Sequence, residues 1–292
     1  PIPPLPAPGG GGVRAHPRLS GNEEALGKHS HAVAVQTARH GVELSEQDEH
    51  YDFSTAREAT RPLLQEWSRC LLRDRIIDGL GTVAYSFSTA PQCSTFFTPL
   101  NSAENAVSSS TQNNTWCAAN SDRILFGAAK SNYSATFATG LATVDSSADK
   151  LTTGVISLLK EIAKDTATNA KLNGTPAIRP VMDQYSENGR EYFVLFCGSR
   201  PFRDLKTSDA MQQANRDARA REANGMDKNP IFQDGDLIWD GVIIREIPEI
   251  PVLSAVGASS IDVAPVFLCG CQSVSVAWGK YPEFRKKNED DY

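Results

Sequence analysis

Cys197 and Ser199 are two neighbouring side chains of this sequence that could act as a nucleophile. A catalytic thiol or hydroxyl needs a base beside it, most often a histidine. All five histidines, however, lie within the first 50 residues, far from this pair along the chain. Hydrolase, phosphate-loop and dinucleotide-binding signatures are also absent from the sequence. A small cytosolic hydrolase that uses Cys197 or Ser199 is therefore kept only as an alternative function.

Histidine, cysteine and aspartate occur at a few spacings that metal sites use. His29 and His31 could share one face of a strand, and so could Cys269 and Cys271. Because two ligands do not make a zinc site, we interpret the histidines as polar surface residues and the cysteines as structural thiols. The three aspartates between residues 234 and 240 fit β-turns better than a calcium loop. The sequence thus predicts no catalytic residue, no metal site and no cofactor.

Composition narrows the class of protein. A chain of 292 residues can bury a core of its own, in one large domain or two small ones. The formal net charge of −6 argues against a protein that coats nucleic acid, which would carry a basic stripe, but is compatible with a shell that encloses DNA. No apolar run approaches the roughly eighteen residues that a membrane-spanning helix needs. The six cysteines, mostly in apolar surroundings, indicate free thiols.

The strongest local pattern predicts one long helix over residues 54–80. Its apolar residues recur at helical spacing along one side. Four of them are expected to form the buried core stripe of this helix: Leu63, Leu64, Trp67 and Leu71. At 1.5 Å per residue such a helix would be about 40 Å long. This is longer than a compact domain requires of one helix, and it indicates an extended subunit.

Strands and further helices are predicted after this helix. Residues 191–197 form a nearly continuous β-forming run, which reads as a strand covered on both faces. Residues 240–241, Asp-Gly, join two short runs as a hairpin turn. Residues 152–164 form an amphipathic helix, and another helix is expected over residues 208–222. Residues 82–121 carry a single charge, and we expect a loop-rich contact surface there. This mixture without a regular strand–helix–strand rhythm predicts an α+β fold.

Six blocks of sequence, taken in order, carry a family resemblance. They are Leu19–Leu26, Asn120–Tyr133, Ala148–Thr152, Phe196–Leu205, Asn229–Phe232 and Trp239–Ile244. Together they resemble the major capsid proteins of tailed bacteriophages, in particular the branch described for podoviruses with a virion-packaged RNA polymerase. The resemblance covers residues 13 to 291.

The resemblance implies the capsid fold that tailed phages share with the herpesvirus capsid floor. On that basis residues 1–28 belong to an extended loop or arm. Residues 29–85 form a peripheral domain with the spine helix over 54–80, residues 86–270 form an axial domain, and residues 271–292 return to the peripheral domain.

The resemblance also implies a function. We expect a major capsid protein, not an enzyme, whose copies form hexamers and pentamers of an icosahedral shell around packaged double-stranded DNA. It needs no cofactor and is expected in the virion capsid, after assembly in the host cytoplasm. Its expected partners are further copies of itself and portal, scaffolding and decoration proteins, with no sequence-specific DNA binding and no membrane. A nanocompartment shell of the same fold, enclosing cellular cargo, is the main alternative.

Charged clusters provide candidates for contacts between subunits. Glu23 and Glu24 lie in the predicted arm, whereas Arg73 and Arg75 lie in the last turns of the predicted helix. One interpretation pairs the glutamates of one copy with the arginines of a neighbour. The other interpretation is a solvated charged face, which contributes little to stability.

Overall fold

The computed structural model describes residues 37–43, 56–86, 92–96, 106–107, 109–165, 178–182, 191–214, 237–271 and 273–283. The chain divides into two compact units, of which the first contains Pro1–Arg39 and Val276–Tyr292, and the second contains His40–Ser275. The second unit carries the helices and strands described below.

The labelled helices are α1 Ala56–Leu80, α2 Ser110–Ala119, α3 Phe137–Ala142, α4 Thr153–Lys164 and α5 Ser199–Thr207. The strands are β1 Thr82–Ser86, β2 Gln92–Thr95, β3 Ala106–Val107, β4 Val181–Met182, β5 Glu191–Cys197, β6 Leu237–Trp239, β7 Val242–Glu246 and β8 Val266–Cys269. Residues 209–214 are also helical. Across the described ranges, each helix is either too short or too polar to cross a lipid bilayer.

Strand β5 is the centre of the main sheet. It pairs in parallel with β7 along one edge and antiparallel with β8 along the other, while β4 pairs antiparallel with its first residues. Strand β6 extends the sheet beyond β7 as the other arm of a hairpin. The turn residues Asp240 and Gly241 have φ angles of 49° and 74°, the positive values that a two-residue hairpin turn of this kind requires. The predicted hairpin is confirmed.

Both faces of β5 are covered, as its sequence predicts. Phe193 and Leu195 are buried in a cluster with apolar residues of α4 and α5. Phe196, on the opposite face, packs in a second cluster with Ile77 near the end of α1. Because the sheet is mixed and the described strands and helices do not alternate regularly along the chain, the expected α+β architecture is observed.

Helix α4 also follows its prediction. The Thr152 hydroxyl accepts a hydrogen bond from the Val155 amide at 3.4 Å and so caps the first turn. On the apolar side Ile156 is fully buried. On the polar side the Lys160 ammonium binds the carboxylate of Asp240, with 2.7 Å between Nζ and Oδ1. This ion pair fixes the β6–β7 turn against the helix.

The helix expected over residues 208–222 is confirmed at its start, because residues 209–214 are helical after a break at Ser208, but a separate helix directly before it was not predicted. Helix α5 starts at Ser199 with Gly198 as its N-cap. Pro201 lies in the first turn, before the first intrahelical bond, which the Phe202 amide donates to Gly198. A proline there loses no helical hydrogen bond and does not stop the helix. Residues 209–214 are helical as expected, and the rest of the predicted span lies outside the described residues.

The loop-rich contact surface predicted for residues 82–121 is wrong where helix α2 and strands β1 to β3 occupy the segment. Ser109 caps α2, because its hydroxyl accepts a hydrogen bond from the Gln112 amide at 3.5 Å. The Ser-x-x-Gln spacing is a capping signal that could have located this helix from the sequence. Its low amphipathic character concealed it, since polar residues dominate all sides.

Asp149 joins two of the six sequence blocks. Its Oδ1 accepts hydrogen bonds from the Ala128 amide at 2.7 Å and from Asn132 Nδ2 at 3.3 Å. Its Oδ2 accepts one from the Asp145 amide at 2.9 Å. The carboxylate approaches closely because Gly127 has a φ of +65° and no side chain, and a Cβ there would overlap it. One carboxylate thus holds together the loops before α3 and before α4.

Candidate inter-subunit surface

Between Leu63 and Ile77, burial of the apolar side of α1 increases towards the C-terminal end of the helix. Four residues share this side at helical spacing: Leu63, Trp67, Cys70 and Ile77. Ile77, near the C-terminal end, is 2% exposed and packs with Ile250. Trp67 and Cys70 are half-buried, and Leu63 is 67% exposed. A row of apolar side chains therefore leads from the core out to solvent.

The prediction that Leu63 lies in a buried stripe is wrong for the folded single chain. The cluster that buries Ile77 includes no described residue of α1 that precedes it. Leu64, Trp67 and Leu71 are half-buried. Trp67 gains part of its cover from His40, whose ring stacks on the indole with 4.8 Å between centroids. The helix around Leu63 thus lacks the packing that the last turns of the helix have.

Arg73 is engaged within its own chain. Its guanidinium binds the carboxylates of Asp74, at 2.9 Å, and of Glu249, at 2.6 Å. The hydrogen bond to Asp74 raises the pKa of Arg73, so the group stays fully charged. Arg75 is half-buried, and Glu23 and Glu24 lie outside the described residues. The pairing of the glutamates with arginines of a neighbouring copy stays a prediction. To take part in it, Arg73 would have to bind a glutamate of the neighbour in addition to Asp74 and Glu249 of its own chain.

A second set of exposed apolar side chains follows β8. Every described residue from 273 to 283 is exposed. Val274, Val276 and Trp278 occupy alternate positions, the spacing of a strand with one apolar face. Trp278 stacks on Tyr281, itself 75% exposed, with 5.8 Å between ring centroids. The alternation was visible in the sequence, but the exposure of these side chains was not.

The residues considered for catalysis are poorly placed for it. Burial raises the pKa of the Cys197 thiol to about 12, with a smaller contribution from Glu246. Such a thiol stays protonated at neutral pH and is a weak nucleophile. Cys269 is buried whereas Cys271 is exposed, so the two thiols lie in different environments. Within the part of the chain that the structure describes, no cluster of three histidine, cysteine, aspartate or glutamate residues could hold a metal ion.

Comparisons with known proteins agree on one class. A family model described as phage capsid protein matches residues 8–292. The structure of the cyanophage Pam1 capsid asymmetric unit is similar with a TM-score of 0.66 and 36% identity, covering 93% of this chain and 69% of that chain. A search of curated proteins returned no match.

A more distant structure gives the same architecture. The capsid of Ralstonia phage GP4 is similar with a TM-score of 0.62 and 18% identity, covering 91% of this chain. At that identity the likeness concerns the fold alone. The chain spans 69% and 66% of the lengths of the two solved chains.

Proposed function

Because this chain belongs to the phage capsid protein family, in which it is a major capsid protein and not an enzyme, we propose that its copies form hexamers and pentamers of an icosahedral shell around packaged double-stranded DNA. The observation that carries the proposal is the 36% identity to a capsid asymmetric unit across 93% of this chain. The same match favours neither a nanocompartment shell nor a cytosolic hydrolase.

The exposed surfaces support assembly as the physical role. Leu63 on α1 and Trp278 and Tyr281 after β8 are large apolar side chains left in solvent by the single chain. Exposed apolar surface of this kind is typical of protein–protein contacts. A closed shell would bury it against further copies, in interfaces related by symmetry.

For the domain organisation of the subunit we propose the division expected from the sequence. We assign residues 1–28 to an extended arm, 29–85 to a peripheral domain, 86–270 to an axial domain and 271–292 to a return into the peripheral domain. The spine of the peripheral domain is α1. This division matters for assembly because the peripheral domain would contact neighbouring capsomers while the axial domain surrounds the capsomer axis.

The protein is a component of the virion capsid, and we propose further partners for its assembly. We propose assembly in the host cytoplasm with scaffolding and portal proteins, followed by decoration proteins on the finished shell. The net charge of −6 supports a shell that encloses DNA without coating it, since a basic stripe would be needed for tight phosphate contacts.

Size and shape of the expressed protein test the proposal. Size-exclusion chromatography with light scattering should show capsomers or particles of megadalton mass, and electron microscopy should show closed shells. A single species of 31.6 kDa at all concentrations, with no particles in the micrographs, would overturn the proposed function.

A further inference from the structure

Two apolar surfaces in the described part of the chain are partly exposed to solvent. The first is the outer end of the α1 stripe, where Leu63 is 67% exposed and Trp67 is half-buried. The second is the segment over residues 273–281, where Val276 and Trp278 are each almost half exposed. The apolar side of a helix is stabilised when another apolar surface packs against it. The apolar face of an extended segment is stabilised in the same way.

We propose that residues 273–281 of one copy lie, in extended form, along the Leu63–Trp67 face of α1 in a second copy. The inference rests on the proposed function, because it requires copies that assemble. It goes further, since it names the two surfaces that meet. A second copy is the partner because folding of one chain leaves both surfaces exposed, whereas assembly supplies the complementary surface from every neighbour.

The spacings of the two surfaces match. Alternate residues of an extended strand are about 6.6 Å apart, so Val274, Val276 and Trp278 span about 13 Å. On α1, Leu63 and Cys70 are seven residues apart, which corresponds to about 10.5 Å along the helix. The three apolar side chains of the segment can therefore contact the three outer residues of the stripe, with Trp67 in the centre.

The charges permit this contact. Residues 273–279 carry no charged side chain, so burying them removes no charge from water. Lys280 and Glu283, which follow, pair with each other. On α1, Arg73 is held by Asp74 and Glu249. Glu66 lies beside this face, where its carboxylate accepts a hydrogen bond from the Cys70 thiol at 3.8 Å and pairs with Arg69, and both charged side chains are largely exposed. The contact therefore buries mainly apolar groups and leaves existing ion pairs in place.

Cysteine cross-linking between separately tagged chains tests the proposal. One chain carries Leu63→Cys, and the other carries cysteine at position 274, 276 or 278, in a background with Cys70, Cys93 and Cys271 replaced by alanine. Each chain then has one engineered thiol, so only contact between copies can join the two tags. The exposure of Leu63 and Val276 makes both substitutions compatible with folding. Gln65→Cys is the matched control, because Gln65 is exposed and faces away from the stripe.

The expected result is a covalent dimer containing both tags, formed in assembled particles with Leu63→Cys and absent with Gln65→Cys. If particles form but none of the three positions gives this dimer with Leu63→Cys, the proposed contact is overturned and the proposed function stays intact. Equal dimer yields from positions 63 and 65 would also overturn it. A chain with both engineered cysteines, diluted in background chains without an engineered cysteine, should give no intrachain link. If it does, the segment lies on the helix of its own chain and the inference fails. If no particles form at all, both this inference and the proposed function fail.

Discussion

Substituting Gly127 by alanine tests how strongly the loops before α3 and α4 depend on one carboxylate. The φ of +65° costs a residue with a side chain about 1–2 kcal/mol. The new Cβ would also displace the carboxylate of Asp149, which accepts three hydrogen bonds from Ala128, Asn132 and Asp145. A hydrogen bond to a charged group contributes about 1.5–3 kcal/mol, so loss of even one brings the expected destabilisation to about 2.5–5 kcal/mol.

Urea unfolding of the unassembled subunit, followed by circular dichroism, measures this loss as a lower midpoint at unchanged slope. Gly154→Ala is the matched control. Its Cβ would meet only Thr152 Oγ1 at 3.7 Å, and alanine in a helix is favoured over glycine by about 0.5–1 kcal/mol. If displacement of Asp149 is the cause, Gly127→Ala combined with Asp149→Ala should cost less than the sum of the single changes. A midpoint for Gly127→Ala equal to that of the wild type, or strictly additive losses, would refute the reasoning.

Three further outcomes are expected. Trp67→Ala should destabilise the subunit by about 1.5–3 kcal/mol, less than the 3–5 of a fully buried tryptophan, because the indole is half-buried and stacks on His40; an unchanged melting temperature would contradict this. The Cys197 thiol should resist alkylation at pH 8, where about one thiol in ten thousand is ionised, while the exposed Cys271 reacts; equal rates measured by mass spectrometry in the native protein would count against it. Deletion of residues 1–26 should leave a folded core by circular dichroism but stop assembly at isolated capsomers, because this proline- and glycine-rich arm is expected to gain its order from a neighbour; normal-sized shells from the deleted chain would refute that.

Elements set by local chemistry could be predicted from the sequence. The β6–β7 hairpin follows from Asp240-Gly241, because aspartate and glycine tolerate the positive φ angles of the turn. Helix α4 follows from a cap at Thr152 and an apolar stripe with a helical period. Both signals act within a few residues, so no knowledge of the rest of the fold was needed.

The arrangement of the sheet could not be predicted in the same way. Strand β5 pairs with β7 in parallel and with β8 antiparallel, partners that are separated from it by about 45 to 75 residues. No local rule selects such partners. The close approach of Asp149 to Gly127 is likewise a property of two distant loops, and a glycine alone does not reveal which carboxylate will face it.

The apolar side of α1 shows what a helical period in the sequence can predict about burial and what it cannot. The period correctly places Leu63, Trp67 and Ile77 on one face, because it follows from the helix geometry. It cannot say how much of that face other elements cover, since cover depends on tertiary structure. Ile77 is buried by Ile250, which lies far along the chain, whereas Leu63 lies beyond the reach of that cluster. Amphipathicity therefore predicted which side of the helix faces the core, but not how many residues on that side are buried.

The partial exposure of Leu63 has a consequence for how copies associate in a shell. Full burial of a leucine contributes about 1.5–3 kcal/mol, so covering the exposed two-thirds of Leu63 would add about 1–2 kcal/mol per contact. That corresponds to a factor of roughly 5 to 30 in a single association constant. A copy held by one such contact dissociates readily and can correct a wrong placement. A copy held by several contacts at once is retained, because each further contact forms at high effective concentration. A helix such as α1, whose apolar side is only partly buried by its own chain, is therefore suited to assembly through many weak contacts.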